Sequence, residues 1–251
     1  MKHQLAVQLY TLRKECKDNF PQVLRDLRKM GWSGVQMGGF FGYDPQEIAA
    51  VMAETGLKAA GFHAGFDQMM NKTELVVEQA RILQTKDIVC PFVQPQNRTE
   101  EGYRRIKQGL NDVAARLREE GFRISYHNHD FEFDCLIDGH NALEYLLKPH
   151  PDNEIHAEID VYWIQRTGRN PLEFIRAYAF RMPIIHLKDM KGDETKDYAE
   201  IGTGTIDFPP LLQWGQANGI EWYVVEQDEC RRSPMDCVET SYNNLIQWIR
   251  E

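Results

Sequence analysis

Carboxylates and imidazoles recur in this chain at one kind of place, the end of a short apolar run. Asp160 closes the run Glu154–Asp160, and His186 lies near the end of Pro183–Lys188, with Lys188 and Asp189 at its edge. Glu226 stands at the end of Trp222–Gln227, just ahead of Asp228. An earlier run, Arg123–His127, leads into Tyr126-His127-Asn128-His129-Asp130 with Glu132 close behind, and His63 ends Lys58–His63. Any one of these alone reads as a helix cap, an ion-pair partner or a hydrogen-bonded histidine. Consecutive runs that all deliver such groups to one rim read differently. Ionisable side chains gathered in a partly buried mouth repel one another or stay unpaired unless a cation joins them. A divalent metal resolves this, and mixed carboxylate and imidazole ligands suit manganese, cobalt, zinc or iron better than a Cys-rich structural zinc site does.

The runs that position these groups number eight. They are Gln4–Tyr10, Gly34–Met37, Lys58–His63, Asp87–Val93, Arg123–His127, Glu154–Asp160, Pro183–Lys188 and Trp222–Gln227, each short, rich in apolar residues and bounded by turn or polar residues, as buried strands are. A helical pattern follows nearly every one: Pro21–Lys29, Pro45–Glu54, Asn71–Leu83, Thr99–Glu119, Gly139–Leu147, Asn170–Tyr178, Asp207–Ala217 and Met235–Ile249. Strict alternation implies parallel strands with right-handed crossovers. Eight such units predict an α/β fold, a (β/α)8 TIM barrel, occupying residues 1–251 as a single domain. The rival, an open doubly wound sheet, would carry a Gly-rich phosphate loop after its first strand, where this chain has Gln8-Leu9-Tyr10-Thr11-Leu12-Arg13. In a barrel, functional side chains stand at the C-terminal ends of the strands, which is where the ionisable groups fall.

Composition narrows the partners. The 251 residues carry 29 basic and 38 acidic side chains, a net charge of −9, with no basic stripe that would neutralise phosphates, so a nucleic-acid partner is not expected. No apolar run is long enough to span a bilayer, and Met1-Lys2-His3-Gln4 opens no signal peptide, so neither a membrane partner nor export is expected. Five scattered cysteines without CxxC spacing fit a reduced, cytoplasmic setting. Around the mouth, His63, His129, Lys188 and Gln94 are candidates for holding hydroxyl or carbonyl oxygens. Tyr10 and Trp163, with Phe40, Phe66, Phe92 and Phe131, offer aromatic faces suited to a sugar ring. No basic cradle for a phosphate is visible, and Gly202-Thr203-Gly204 reads as a turn.

Several words, in order and each at its expected strand end, resemble the xylose-isomerase-like TIM-barrel superfamily of sugar isomerases and epimerases. They are Val7-Gln8-Leu9-Tyr10-Thr11-Leu12-Arg13, Gly31-Trp32-Ser33-Gly34-Val35-Gln36, Tyr126-His127-Asn128-His129-Asp130-Phe131-Glu132-Phe133, Glu158-Ile159-Asp160-Val161-Tyr162-Trp163, His186-Leu187-Lys188-Asp189, Gly202-Thr203-Gly204-Thr205-Ile206-Asp207-Phe208 and Val225-Glu226-Gln227-Asp228. Within it the chain is similar to the sugar phosphate isomerase/epimerase proteins, near the inosose dehydratases. The resemblance implies a divalent cofactor, manganese first, with cobalt, magnesium, zinc or iron as alternatives. It also implies ligands Asp160, His186 and Glu226. The family's fourth ligand, a Glu after the fifth strand, is replaced by His127, so either His127 takes that role or Glu132 reaches back from the loop. The implied activity is isomerisation or epimerisation of a sugar or keto-sugar through a metal-stabilised enediolate. The alternative is a lyase or dehydratase acting on an inosose or a 3-keto-glycoside. Glu226 is the candidate base, with His127, His129 or Glu132 as its partner. A small carbohydrate is the implied substrate, and homo-oligomers are common in the family. The endonuclease branch of the superfamily uses a three-metal cluster with many more ligands and a basic face, against which eight histidines and a net charge of −9 argue.

Overall fold

The computed structural model describes residues 1–250, with the backbone alone at 250. Its centre is a closed barrel of eight parallel strands: β1 (Leu5–Gln8), β2 (Gly34–Met37), β3 (Lys58–His63), β4 (Asp87–Cys90), β5 (Arg123–His127), β6 (His156–Asp160), β7 (Ile184–Leu187) and β8 (Trp222–Val225). Each pairs with its sequence neighbour, and β1 pairs with β8 to close the ring. Helices fill the outside: α1 (Arg13–Met30), α2 (Pro45–Thr55), α3 (Phe66–Asn71), α4 (Thr73–Ile82), α5 (Glu100–Arg118), α6 (Ala142–Leu147), α7 (Val161–Arg166), α8 (Pro171–Ile175), α9 (Phe208–Ala217) and α10 (Pro234–Arg250). The (β/α)8 expectation therefore holds.

The differences from expectation lie at element ends and have local causes. Several strands end sooner, as β4 does at Cys90, because the chain leaves the ladder to form the loops of the mouth. The first helix begins well before Pro21 and is kinked at Asn19, since proline has no N–H to continue the ladder. The helix expected over Asn71–Leu83 is α4, beginning at Thr73, and a short helix not expected, α3, precedes it up to Asn71. Ahead of α6, Asp138-Gly139, both with positive φ, turn a small antiparallel ribbon of Leu136–Ile137 and His140–Asn141. A further short helix, α7, follows β6 directly, with the Asp160 side chain accepting from Tyr162 N at its start.

Strand side chains alternate between outside and inside, so residues two apart share a face. One face meets the helices through an apolar layer that includes Val7, Val35, Ile88, Ile124, Ile159 and Val225. The other fills the barrel. At its base Ala6, Ala60, Val89, Ile184 and Val224 pack together with Trp222. Trp222 fits only because Gly34 lacks a side chain: a Cβ there would lie 2.7 Å from the indole. Below this plug, at the N-terminal end of β5, Arg123 donates from Nε and a terminal nitrogen to both oxygens of Asp87 at 2.7 and 2.8 Å. Its other terminal nitrogen pairs with Glu221 ahead of β8. Above the plug the interior turns polar: Gln8, Gln36, Glu158 and His186 are all fully buried.

Candidate functional site

At the C-terminal end of the barrel a cavity of about 600 Å³ opens among the loops. Its lining includes Tyr10, His63, Phe66, Phe92, Gln94, His127, His129, Glu226 and Asp228, and among the described residues no Lys or Arg belongs to it.

Beneath this cavity His127 from β5, Asp160 from β6, His186 from β7 and Glu226 just past β8 each offer one ligand atom, all within 4.8 Å of one another. Strand register produces this convergence, for Asp160 stands opposite His186 in the β6–β7 pair. His186 Nδ1 lies 3.2 Å from Glu226 Oε2, and His127 Nε2 lies 4.0 Å from Asp160 Oδ2. Asp160 Oδ2 has Lys188 Nζ at 2.9 Å but makes no aligned hydrogen bond, so an acceptor in this buried layer is left short of a partner.

The charges are strongly coupled. Burial pushes Asp160 up to about 6. Burial would raise Glu226 too, but the Lys188 ammonium at 2.9 Å and His186 hold it well below the usual carboxylate range. Burial and the nearby His186 bring His127 down to about 4, so it is a neutral imidazole at neutral pH, the form that ligates metals. Burial opposes the proton of His186, yet Glu158 and Glu226 overcome it and raise that imidazole to about 10. Two imidazoles and two carboxylates on a layer rich in negative charge fit a divalent cation, and this quartet could hold one.

Of the two candidates for the place beside Asp160, His186 and Glu226, the structure brings in His127. Glu132 is fully buried in the loop beyond β5, where it accepts from Tyr126 Oη at 2.6 Å and from His129 N at 2.8 Å. His63, His129, Tyr10 and Gln94 line the cavity. The His129 ring stacks on Phe131, and its buried Nδ1 has no partner. Lys188 and Trp163 are not in that lining. Lys188 is fully buried, its ammonium against Asp160, Glu226 and, at 2.7 Å, Asp228, with the Trp163 ring 5.4 Å away. Its place is behind the carboxylates, as their counter-charge.

Glu158, Gln36 and Gln8 are the residues that reading strand ends overlooks. Glu158 is two residues before Asp160 on the same face, one layer deeper, with His63, His127 and His186 around it at 2.9, 3.2 and 3.1 Å. Period-two alternation was the available signal: Glu158 shares a face with Asp160, and Gln8 and Gln36 are polar residues inside otherwise apolar strands.

A family model described as xylose isomerase-like TIM barrel matches residues 24–251. Inosose dehydratase of Clostridium perfringens is 22% identical over 260 residues, covering 88% of this chain and 86% of that protein. Inosose dehydratase of Lacticaseibacillus casei is 23% identical over 257 residues, covering 86% and 85%. Among solved structures, a sugar phosphate isomerase/epimerase from Parabacteroides distasonis superposes with a TM-score of 0.83 at 20% identity, covering 97% of each chain.

Proposed function

The chain belongs to the xylose isomerase-like TIM-barrel family, and from that premise we propose that it is a divalent-metal-dependent isomerase or epimerase of a sugar or keto-sugar. The observation that carries this reading is the quartet His127, Asp160, His186 and Glu226, gathered beneath a cavity that Glu226 itself lines. A divalent ion held there would polarise a sugar carbonyl and stabilise the negative charge that develops on it when the neighbouring C–H is deprotonated.

The chain's own residues supply the rest. Glu226, kept ionised by Lys188, is the base that takes the proton from carbon. Returning that proton to the adjacent carbon from the same face gives isomerisation; delivery to the opposite face gives epimerisation. His129, which burial holds neutral, and His63 both line the cavity and can offer ring nitrogens to substrate hydroxyls. Tyr10, Phe66 and Phe92 supply ring faces, and a lining without Lys or Arg favours an unphosphorylated sugar or cyclitol.

The test is turnover in deuterated water. A ketose substrate is expected to take up deuterium at a single carbon without losing water. Glu226→Gln is expected to keep enough ligands to bind the ion, measured by elemental analysis, while slowing exchange by about 10²–10⁴-fold. Retained exchange with bound metal removes Glu226 from the base role. A second reading, β-elimination of water from an inosose, draws support from the two dehydratase relatives and from the replacement of the family's fifth-strand Glu by neutral His127. Product lighter by one water marks that outcome.

A further inference from the structure

Two overlapping groups of possible ligands share His127 and His186. One is the quartet above. The other is His63, His127, Glu158 and His186, one layer down. In the lower group the contacts form a hydrogen-bonded chain with a fixed direction. Gln36 Nε2 donates to Glu158 Oε2 at 2.5 Å. Gln36 Oε1 faces His186 Nε2 at 2.6 Å and accepts from Gln8 Nε2 at 2.7 Å. Glu158 Oε1 faces His63 Nε2 at 2.9 Å.

The direction follows from one fixed donor: the Tyr10 backbone N–H donates to Gln8 Oε1 at 3.2 Å, which leaves the Gln8 NH₂ to donate to Gln36 Oε1. Gln36 accepts at that oxygen and so turns its own NH₂ end to Glu158 Oε2. That turns the Gln36 carbonyl oxygen to His186, and an oxygen facing Nε2 at 2.6 Å requires Nε2 to carry a hydrogen. A His186 so held keeps its Nε2 hydrogen when it gives up one proton to bind an ion, which leaves the lone pair on Nδ1, the nitrogen that points at Glu226 and the upper quartet. Glu158 is not itself in the cavity lining: it meets two lining residues, His63 and His127, and reaches the upper quartet only through the backs of the His127 and His186 rings.

We propose that Glu158 is a positioning residue which, through Gln36, fixes His186 in the Nε2–H form and so presents Nδ1 to the cation. This rests on the reading of the upper quartet as the metal site. Outer partners of this kind set which imidazole nitrogen is free, and removing one typically weakens metal binding 10–100-fold. Glu158→Gln removes the carboxylate that accepts from the Gln36 NH₂, so the Gln36 amide is held from one side only and His186 loses its fixed orientation. Gln36→Met removes the acceptor facing Nε2 while keeping an unbranched side chain of similar reach.

The experiment uses the full chain with histidine labelled in ¹⁵N, loaded with zinc, and read by long-range ¹H–¹⁵N correlation together with titration calorimetry and elemental analysis. Expected are one ion per chain, His186 protonated at Nε2 and metal-bound at Nδ1, and zinc affinity lowered 10–100-fold in folded Glu158→Gln and Gln36→Met. Should Glu158→Gln fail to fold, Gln36→Met carries the same comparison. The proposal is overturned by a wild-type His186 protonated at Nδ1, by affinities of both variants within about threefold of wild type, or by two ions per chain with Glu158 as a ligand. A wild-type chain that binds no zinc, manganese or cobalt overturns the metal reading and this inference together; the other outcomes overturn the inference alone.

Discussion

Glu132 occupies surroundings that suit its acid better than its carboxylate. The Tyr126 hydroxyl and the His129 N–H favour the charged form, but burial outweighs them and pushes the group from about 4.5 up to about 7. Between those values the folded protein binds more protons at this site than the unfolded chain does. Stability from Glu132 is therefore fully present below about pH 4.5 and falls as pH rises through about 7. Glu132→Gln keeps an acceptor oxygen for one of the two donors and does not titrate. Denaturant unfolding at pH 5 and pH 8 is expected to show the variant gaining about 2–3 kcal/mol on wild type across that interval; a constant difference would refute it. This residue also marks the limit of what spacing along the chain reveals. Glu132 and His127 were both plausible companions of Asp160, His186 and Glu226, and their separation depends on how the loop after β5 folds back onto Tyr126. Glu158 was hidden for the opposite reason: a carboxylate inside an apolar strand draws notice only when the strand's inward face is read through its whole length.

Among the elements, the loop between β7 and α9 depends on one side chain. Asp189 accepts four backbone N–H bonds, from Met190 and Ile206 on one oxygen at 2.8 and 3.1 Å and from Gly202 and Gly204 on the other at 2.9 and 2.8 Å. The Gly202-Thr203-Gly204 turn is thus wound around a carboxylate just beyond His186 and Lys188. A Cβ at Gly204 would collide with Asp189 Oδ1 and the Met190 carbonyl. Gly204→Ala is expected to cost about 1–3 kcal/mol by overpacking, read as a lowered denaturant midpoint with an unchanged slope. A midpoint equal to wild type would mean that the loop yields freely. The turn itself was legible from its glycines, helix α2 from Asp44-Pro45 at its start, and α5 from its length of periodic pattern after Thr99. Helix α3 was not, because six residues are too few to show a helical period; it packs against α5, with Gly109 giving room for Phe66 and Met70.

For the molecule as a whole, eightfold alternation was enough to give the barrel, since parallel strands with helical crossovers have few other ways to close. The closed ring also places the four candidate ligands on four neighbouring strands or their immediate ends, so ion binding and folding are linked. An ion that binds the folded chain alone adds about 2.7 kcal/mol at a hundredfold excess over its Kd, which for a chain of this size amounts to about 5–10 °C in Tm. Thermal scans with manganese against chelator are expected to show that rise in wild type and to lose it in Asp160→Ala. An unchanged wild-type Tm at saturating manganese counts against the site. The membrane and nucleic-acid expectations rest on chemistry at this scale: no helix among the described residues is long and apolar enough to cross a bilayer, and the net charge is −9.

The plug of Trp222, Ile184 and Val224, with Arg123 bolted to Asp87 and Glu221 beneath it, turns the barrel from a tube into a cup. Whatever enters over Tyr10 and Phe92 must leave by the same doorway. Departing product and arriving substrate therefore queue for one passage, and any loop that narrows that passage governs both halves of the traffic at once.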